Sequence, residues 1–183
     1  MIFSISSAQV KTNFEIIQNE IEKNIDQLIY KLDNKNSFGL EINLPNEYSI
    51  FSTVIKNKFG SGLSITYNNV SHSISYSLNE IQLNYTDCFR DGLFGNFLTE
   101  RKLVINSSYN LSSQMNSLSG ENIITVYKDT VKIEEIVELE NNAYTFTRSE
   151  KPKEPFLSGL TEPIIAISAI AVSIYLLFSV RSN

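Results

Sequence analysis

The chain has 183 residues, a formal net charge of −5 and a mean hydropathy of −0.09, with 42% hydrophobic and 19% charged residues. This length allows one compact domain with a sizeable core and excludes a large multidomain enzyme. The acidic balance and the small charged fraction also exclude a basic nucleic-acid-binding protein and a highly charged disordered chain.

Residues 1–9 are apolar, but they are too few for a complete signal peptide and lack a basic start. Ser6 and Ala8 nevertheless stand at the positions where a signal-peptide cleavage site before Gln9 needs small side chains. Two interpretations stay open, the end of a bacterial signal peptide and a frayed terminus or short edge strand.

Two amphipathic helices are predicted in the first third of the chain. Residues 10–32 carry an apolar residue every three or four positions, and Thr12 with Glu15 forms a capping box at the start. A strand is predicted at residues 38–44, where apolar and other residues alternate up to Pro45. A second helix follows, with Asn46 as its N-cap and Gly60 as a left-handed stop.

In the middle of the chain the apolar residues repeat at every second position, which predicts strands with one solvent-exposed face. The alternating segments are residues 63–67, 74–78, 81–85, 103–111 and 123–127. This order predicts an α+β fold over residues 10–135, with two helices packed on a mainly antiparallel sheet. Residues 129–140 either continue the last strand or form a short acidic helix, and residues 136–160, with Pro152 and Pro155, are predicted to be a polar tether.

A single C-terminal transmembrane helix is predicted at residues 161–180, followed by a tail at residues 181–183. No charged residue occurs from Ile164 to Val180, a run that is about 26 Å long as a helix, and its predicted partner is the lipid bilayer. Ala166, Ala169 and Ser173 lie on one side of this helix, where small side chains permit close helix association.

The residues that could carry chemistry are few, because the chain has one cysteine and one histidine. Cys88 and His72 cannot build an intramolecular disulfide or a Cys/His zinc site, so neither a metal nor a cofactor is predicted. Cys88 is interpreted as a small buried hydrophobic residue and His72 as an exposed loop residue.

The segment between two predicted strands, residues 89–98, is unusually apolar for a hairpin connection. Asp91-Gly92 and Gly95-Asn96 supply the expected turn residues. Five large apolar residues surround them, which makes this segment the candidate contact surface for a partner: Phe89, Leu93, Phe94, Phe97 and Leu98. The segment either folds back over the sheet or presents a hydrophobic tip to a protein or to the bilayer.

The element order of a long helix, strand, helix, strand and paired-strand meander, over residues 10–128, resembles the small bacterial envelope domains of the CsgG, LpoB and TolB N-terminal kind. The C-terminal helix departs from that pattern, and there is no lipobox cysteine. The resemblance implies a non-enzymatic binding or assembly module of the envelope, here membrane-anchored and facing the periplasm, with a protein partner. The alternatives are a tail-anchored cytoplasmic adaptor and an enzyme using His72 or Cys88.

Overall fold

The computed structural model describes residues 10–32, 36–67, 70–92, 95–113, 117–153 and 161–181, and it leaves undescribed the side chains of residues 117–119, 161–163, 180 and 181. The predictions for residues 1–9 and 182–183 lie outside this part of the chain. The protein divides into two units, Met1–Lys151 and Pro152–Asn183.

The first unit is an α+β fold built on one mixed five-stranded sheet. Its elements are α1 (Asn13–Lys31), β1 (Ser37–Asn43), α2 (Ser52–Gly62), β2 (Ser64–Ile65), β3 (His72–Arg90), β4 (Phe97–Ser113), β5 (Ser117–Lys132) and α3 (Ile136–Leu139). The strand order is β2-β1-β3-β4-β5. β1 runs parallel to β2 and β3, whereas β3, β4 and β5 are antiparallel, so the prediction of a mainly antiparallel sheet is confirmed for the three long strands.

Helix α1 begins where the sequence predicts. The Thr12 hydroxyl accepts a hydrogen bond from the Glu15 backbone amide (3.3 Å), and the Glu15 carboxylate accepts one from the Thr12 amide (2.9 Å), which confirms the capping box. The predicted stripe of α1 is buried against the core-facing side of the sheet, together with Ile55 and Phe59 of α2.

The predicted ends of the second helix are wrong. A 3₁₀ helix at Asn46–Phe51 precedes α2, and its cap residue is Pro45, so Asn46 is not the N-cap. The helix continues through Gly60 to Gly62, and the positive-φ residues of the described chain are Asp87 and Gly92. Leu63 ends α2 in an extended conformation instead, because it enters the core as a buried residue directly before β2.

The two strands predicted at residues 74–78 and 81–85 form one 19-residue strand, β3. A bulge between Leu78 and Glu80 inserts one extra residue relative to β4. Because side chains alternate across a strand, the bulge moves the core-facing positions from even numbers before it to odd numbers after it. The segment predicted as a strand at residues 63–67 is reduced to β2, which has two residues.

The predicted boundary between domain and tether at residue 135 is wrong. β5 continues to Lys132 and leads through a 3₁₀ turn into α3, so both interpretations of residues 129–140 hold for part of the segment. Ile136, Leu139 and Phe146 are buried in the core, and the first unit therefore extends to Lys151.

The second unit contains α4 (Thr161–Arg181). Within the residues that the structure describes, no helix is long and apolar enough to cross a membrane, so the transmembrane helix predicted at residues 161–180 is not supported by this finding.

Candidate functional site

The end of the β3–β4 hairpin turns an apolar pair away from the core. A second bulge, between Thr86 and Cys88, places Asp87 in the left-handed region at φ 53°. This extra residue reverses the alternation again, so Cys88 packs against the core and Phe89 points to the opposite face. Phe89 pairs directly with Leu98, which is half-buried, and 44% of Phe89 is exposed.

The turn that closes the hairpin is held by Arg90 and by two glycines. The Arg90 Nε donates to the Gly95 carbonyl (3.0 Å), and the Asp91 amide donates to the Asn96 carbonyl (3.0 Å). Gly92 has φ 73°, a conformation that favours glycine. At Gly95 an added Cβ would lie 1.7 Å from the Asp91 carbonyl oxygen, so a side chain there would force the turn open.

The five predicted contact residues do not form one surface. Phe97 packs against the core, and the Arg90 guanidinium lies 5.1 Å from the centre of its ring. Phe89 and Leu98 form the outward pair, whereas Leu93 and Phe94 lie outside the described residues. In the described part of the hairpin, Phe97 therefore faces the core, whereas Phe89 and Leu98 face outward.

His72 and Cys88 occupy opposite ends of β3 and cannot share a site. They are 16 positions apart along the strand, which corresponds to about 50 Å. The prediction that His72 lies in an exposed loop is wrong: it is the half-buried first residue of β3. Its ring packs edge-to-face with the ring of Phe38, and the two ring centres are 5.9 Å apart. In the described part of the chain, no group of three or more His, Cys, Asp or Glu residues is arranged to hold a metal ion.

A buried ion pair that the sequence analysis missed lies at the amino end of α1. Arg101, on β4, is fully buried and faces Asp129 on β5. Its Nε and Nη2 donate to the two carboxylate oxygens of Asp129 at 2.8 and 2.5 Å. Its Nη1 donates to the Lys11 carbonyl (2.9 Å) and to the Asn13 side-chain oxygen (2.8 Å).

Asn13 extends this network to two more elements. Its side-chain amide donates to the Tyr85 hydroxyl on β3 (2.8 Å) and to the Thr147 carbonyl (2.9 Å). Burial holds the pKa of Tyr85 above its ordinary value, and the hydrogen bond from Asn13 offsets part of that rise. The network therefore joins the start of α1, all three long strands and the segment after α3. Because Arg101 is fully buried, it is interpreted as a structural residue. Its only signal in the sequence is that a charged residue stands at a core-facing position, two residues before Leu103.

The predicted helix-association residues lie on α4 as the sequence indicates. Ala166, Ala169 and Ser173 belong to one helix at steps of three and four, and all three are exposed. The Ser173 hydroxyl donates a hydrogen bond to the Ala169 carbonyl of the same helix (2.8 Å). Whether these residues contact another helix stays a prediction.

No protein-family model matches the sequence, and no curated protein matches it either. Among solved structures, a minor lipoprotein from Acinetobacter baumannii matches with a TM-score of 0.34 at 13% identity, over 55% of this chain and 68% of that one. The rare lipoprotein B from Shewanella oneidensis matches with a TM-score of 0.33 at 11% identity, over 79% of this chain and 94% of that one. A lipoprotein from Neisseria meningitidis matches with a TM-score of 0.33 at 7% identity, over 75% of this chain and 97% of that one. All three are bacterial lipoproteins by name, but at these TM-scores the likenesses carry no argument about this chain.

Proposed function

We propose that this protein is a non-enzymatic binding module of the bacterial cell envelope. Its α4 helix holds it at the membrane, and the outward pair Phe89 and Leu98 contacts a protein partner. The single observation that carries the proposal is the bulge at Asp87, which turns a large aromatic side chain out of a well-packed core at the end of the longest strand. Bulges that redirect a side chain occur preferentially at functional positions.

The exposed surface of α4 supports the membrane part of the proposal. The helix has 21 residues, and all its described side chains, from Ile164 to Ser179, are exposed. Large apolar residues such as Leu177 (71% exposed) and Phe178 (72% exposed) are costly to leave in water. Contact with a membrane removes such side chains from water.

Position-specific photo-crosslinking in the native membrane tests the proposed contact. We expect a benzophenone side chain in place of Phe89 to give a discrete protein adduct. The same group in place of Tyr67, which is 68% exposed near β2, serves as the matched control. Equal adduct yields at the two positions would contradict the proposed contact surface.

The side of the membrane on which the first unit lies is tested in the same preparation. We propose that it faces the periplasm, and protease added to intact spheroplasts should then digest it. Full protection until the membrane is opened would place the module on the cytoplasmic side.

A further inference from the structure

Three aliphatic side chains lie together on the outer face of the sheet, where β4 and β5 run side by side. Ile124 is 67% exposed and Val126 is 52% exposed, and the half-buried Val104 of β4 pairs directly with Val126. Further along β4 the same face is polar, and the hydroxyl of Ser112 there is hydrogen-bonded to that of Ser73 on β3. The aliphatic residues are therefore a local feature of this face.

A lysine without a counter-charge adjoins them. Lys102 is half-buried on the outer face, two residues before Val104, and it stands directly opposite Lys128 of β5. The Glu100 carboxylate pairs with the Lys128 Nζ (2.9 Å), and no carboxylate of the described residues forms an ion pair with Lys102. Like charges directly opposite each other on neighbouring strands are destabilising. The surroundings of Lys102 therefore favour a carboxylate that comes from outside the described chain.

We propose that this basic-apolar patch, Lys102 with Val104, Ile124 and Val126, binds an acidic segment of a protein partner. A carboxylate of the segment pairs with Lys102, and an apolar side chain beside it packs on the three aliphatic residues. A segment with both features supplies the missing charge and removes the aliphatic surface from water in one contact.

This inference rests on the proposed function, because it names the chemistry of the partner that is proposed to contact Phe89 and Leu98. Leu98 and Val104 are six positions apart on the same face of β4, which corresponds to about 20 Å. An ordinary protein interface covers about 800 Å² of each partner and is thus about 30 Å across. One partner is therefore large enough to cover both the outward pair and the basic-apolar patch.

Photo-crosslinking of the full chain in its native membrane tests the inference, with a benzophenone side chain in place of Val126. We expect a protein adduct in which mass spectrometry finds an Asp or Glu within two residues of the attachment point. Lys102→Glu should lower the adduct yield about fivefold or more, whereas Lys102→Arg should keep it. The matched control is Lys56→Glu, which reverses the charge of an exposed lysine on α2 and should leave the yield unchanged.

Thermal unfolding of the full chain in detergent separates a contact role of Lys102 from a structural one. We expect Lys102→Glu to unfold at an equal or higher temperature than the unaltered chain, because it places opposite charges across from each other at the Lys128 pair. A lower unfolding temperature would assign Lys102 to the stability of the fold and overturn the inference.

The adducts at the two probe positions distinguish this inference from the proposed function. An adduct at position 89 with none at position 126 overturns the basic-apolar patch alone. An adduct at position 126 with a lipid or with a second copy of this chain, or a yield that Lys102→Glu leaves unchanged, has the same consequence. The absence of a protein adduct at both positions overturns the proposed function together with this inference.

Discussion

Arg101 is a buried charged residue that connects several elements of this fold. Its guanidinium is enclosed at the junction of α1, β4 and β5, and four hydrogen bonds satisfy it. Such a pair adds little net stability over apolar residues, but losing one partner leaves the other without compensation. Its bonds therefore link β4 to β5 through Asp129, and they link β4 to the start of α1 through Lys11 and Asn13.

We predict that Asp129→Ala lowers the free energy of unfolding by about 3 kcal/mol, because it leaves the Arg101 charge buried without its carboxylate. Denaturant unfolding of the full chain in detergent, followed by circular dichroism, measures the change. The control is Lys128→Ala, which removes the neighbouring exposed pair with Glu100 and should cost less than about 1 kcal/mol. Equal losses for the two variants would show that the buried pair is not a stability determinant.

The two bulges of β3 determine which of its residues face the core and which face outward. The first can be recognised in the sequence, since the apolar positions change from Ile74, Tyr76 and Leu78 to Ile81, Leu83 and Tyr85. The second cannot, because apolar residues follow it on both faces, at Cys88 and at Phe89. Sequence periodicity therefore predicts the strand but not the direction of its last side chains.

Asp87 provides a test of the second bulge. Its φ of 53° is unfavourable for a β-branched side chain and favourable for glycine. We predict that Asp87→Val lowers the free energy of unfolding by about 1 to 2 kcal/mol, whereas Asp87→Gly changes it by less than about 0.5 kcal/mol. Thr86→Val is the control for a β-branched residue in the adjoining strand position. An Asp87→Val variant as stable as the Thr86→Val variant would contradict the bulge geometry.

The two main helices and the three long strands were predictable because their apolar residues repeat at 3.6 or 2 positions. The segment after β5 was harder to recognise, because Glu134, Glu135 and Glu138 suggest a solvated face. Its buried residues, Ile133, Ile136 and Leu139, are nevertheless spaced by three, which is a helical signal. Arg101 was missed for the opposite reason, since a charged residue at a core-facing position indicates nothing until its partner on another strand is known.

On the scale of the whole molecule, the protein combines a folded α+β unit with an exposed apolar helix. The first unit has a continuous core of both helices and one sheet face, closed by the residues after β5. The second unit contributes α4, whose described side chains form no comparable core. The proposed function depends on this division, because one unit supplies the contact surface and the other supplies the attachment to the membrane.

Alkaline carbonate extraction of membranes that contain the full chain tests the proposed membrane attachment most directly. We predict that the protein stays in the membrane pellet. Ile170→Lys with Val172→Lys should release it, because two charged side chains then replace exposed apolar ones that the membrane would otherwise take up. Ser179→Lys, at the helix end, should leave it in the pellet, since a terminal lysine reaches the headgroup region. Release of the unaltered protein into the supernatant would contradict the membrane attachment.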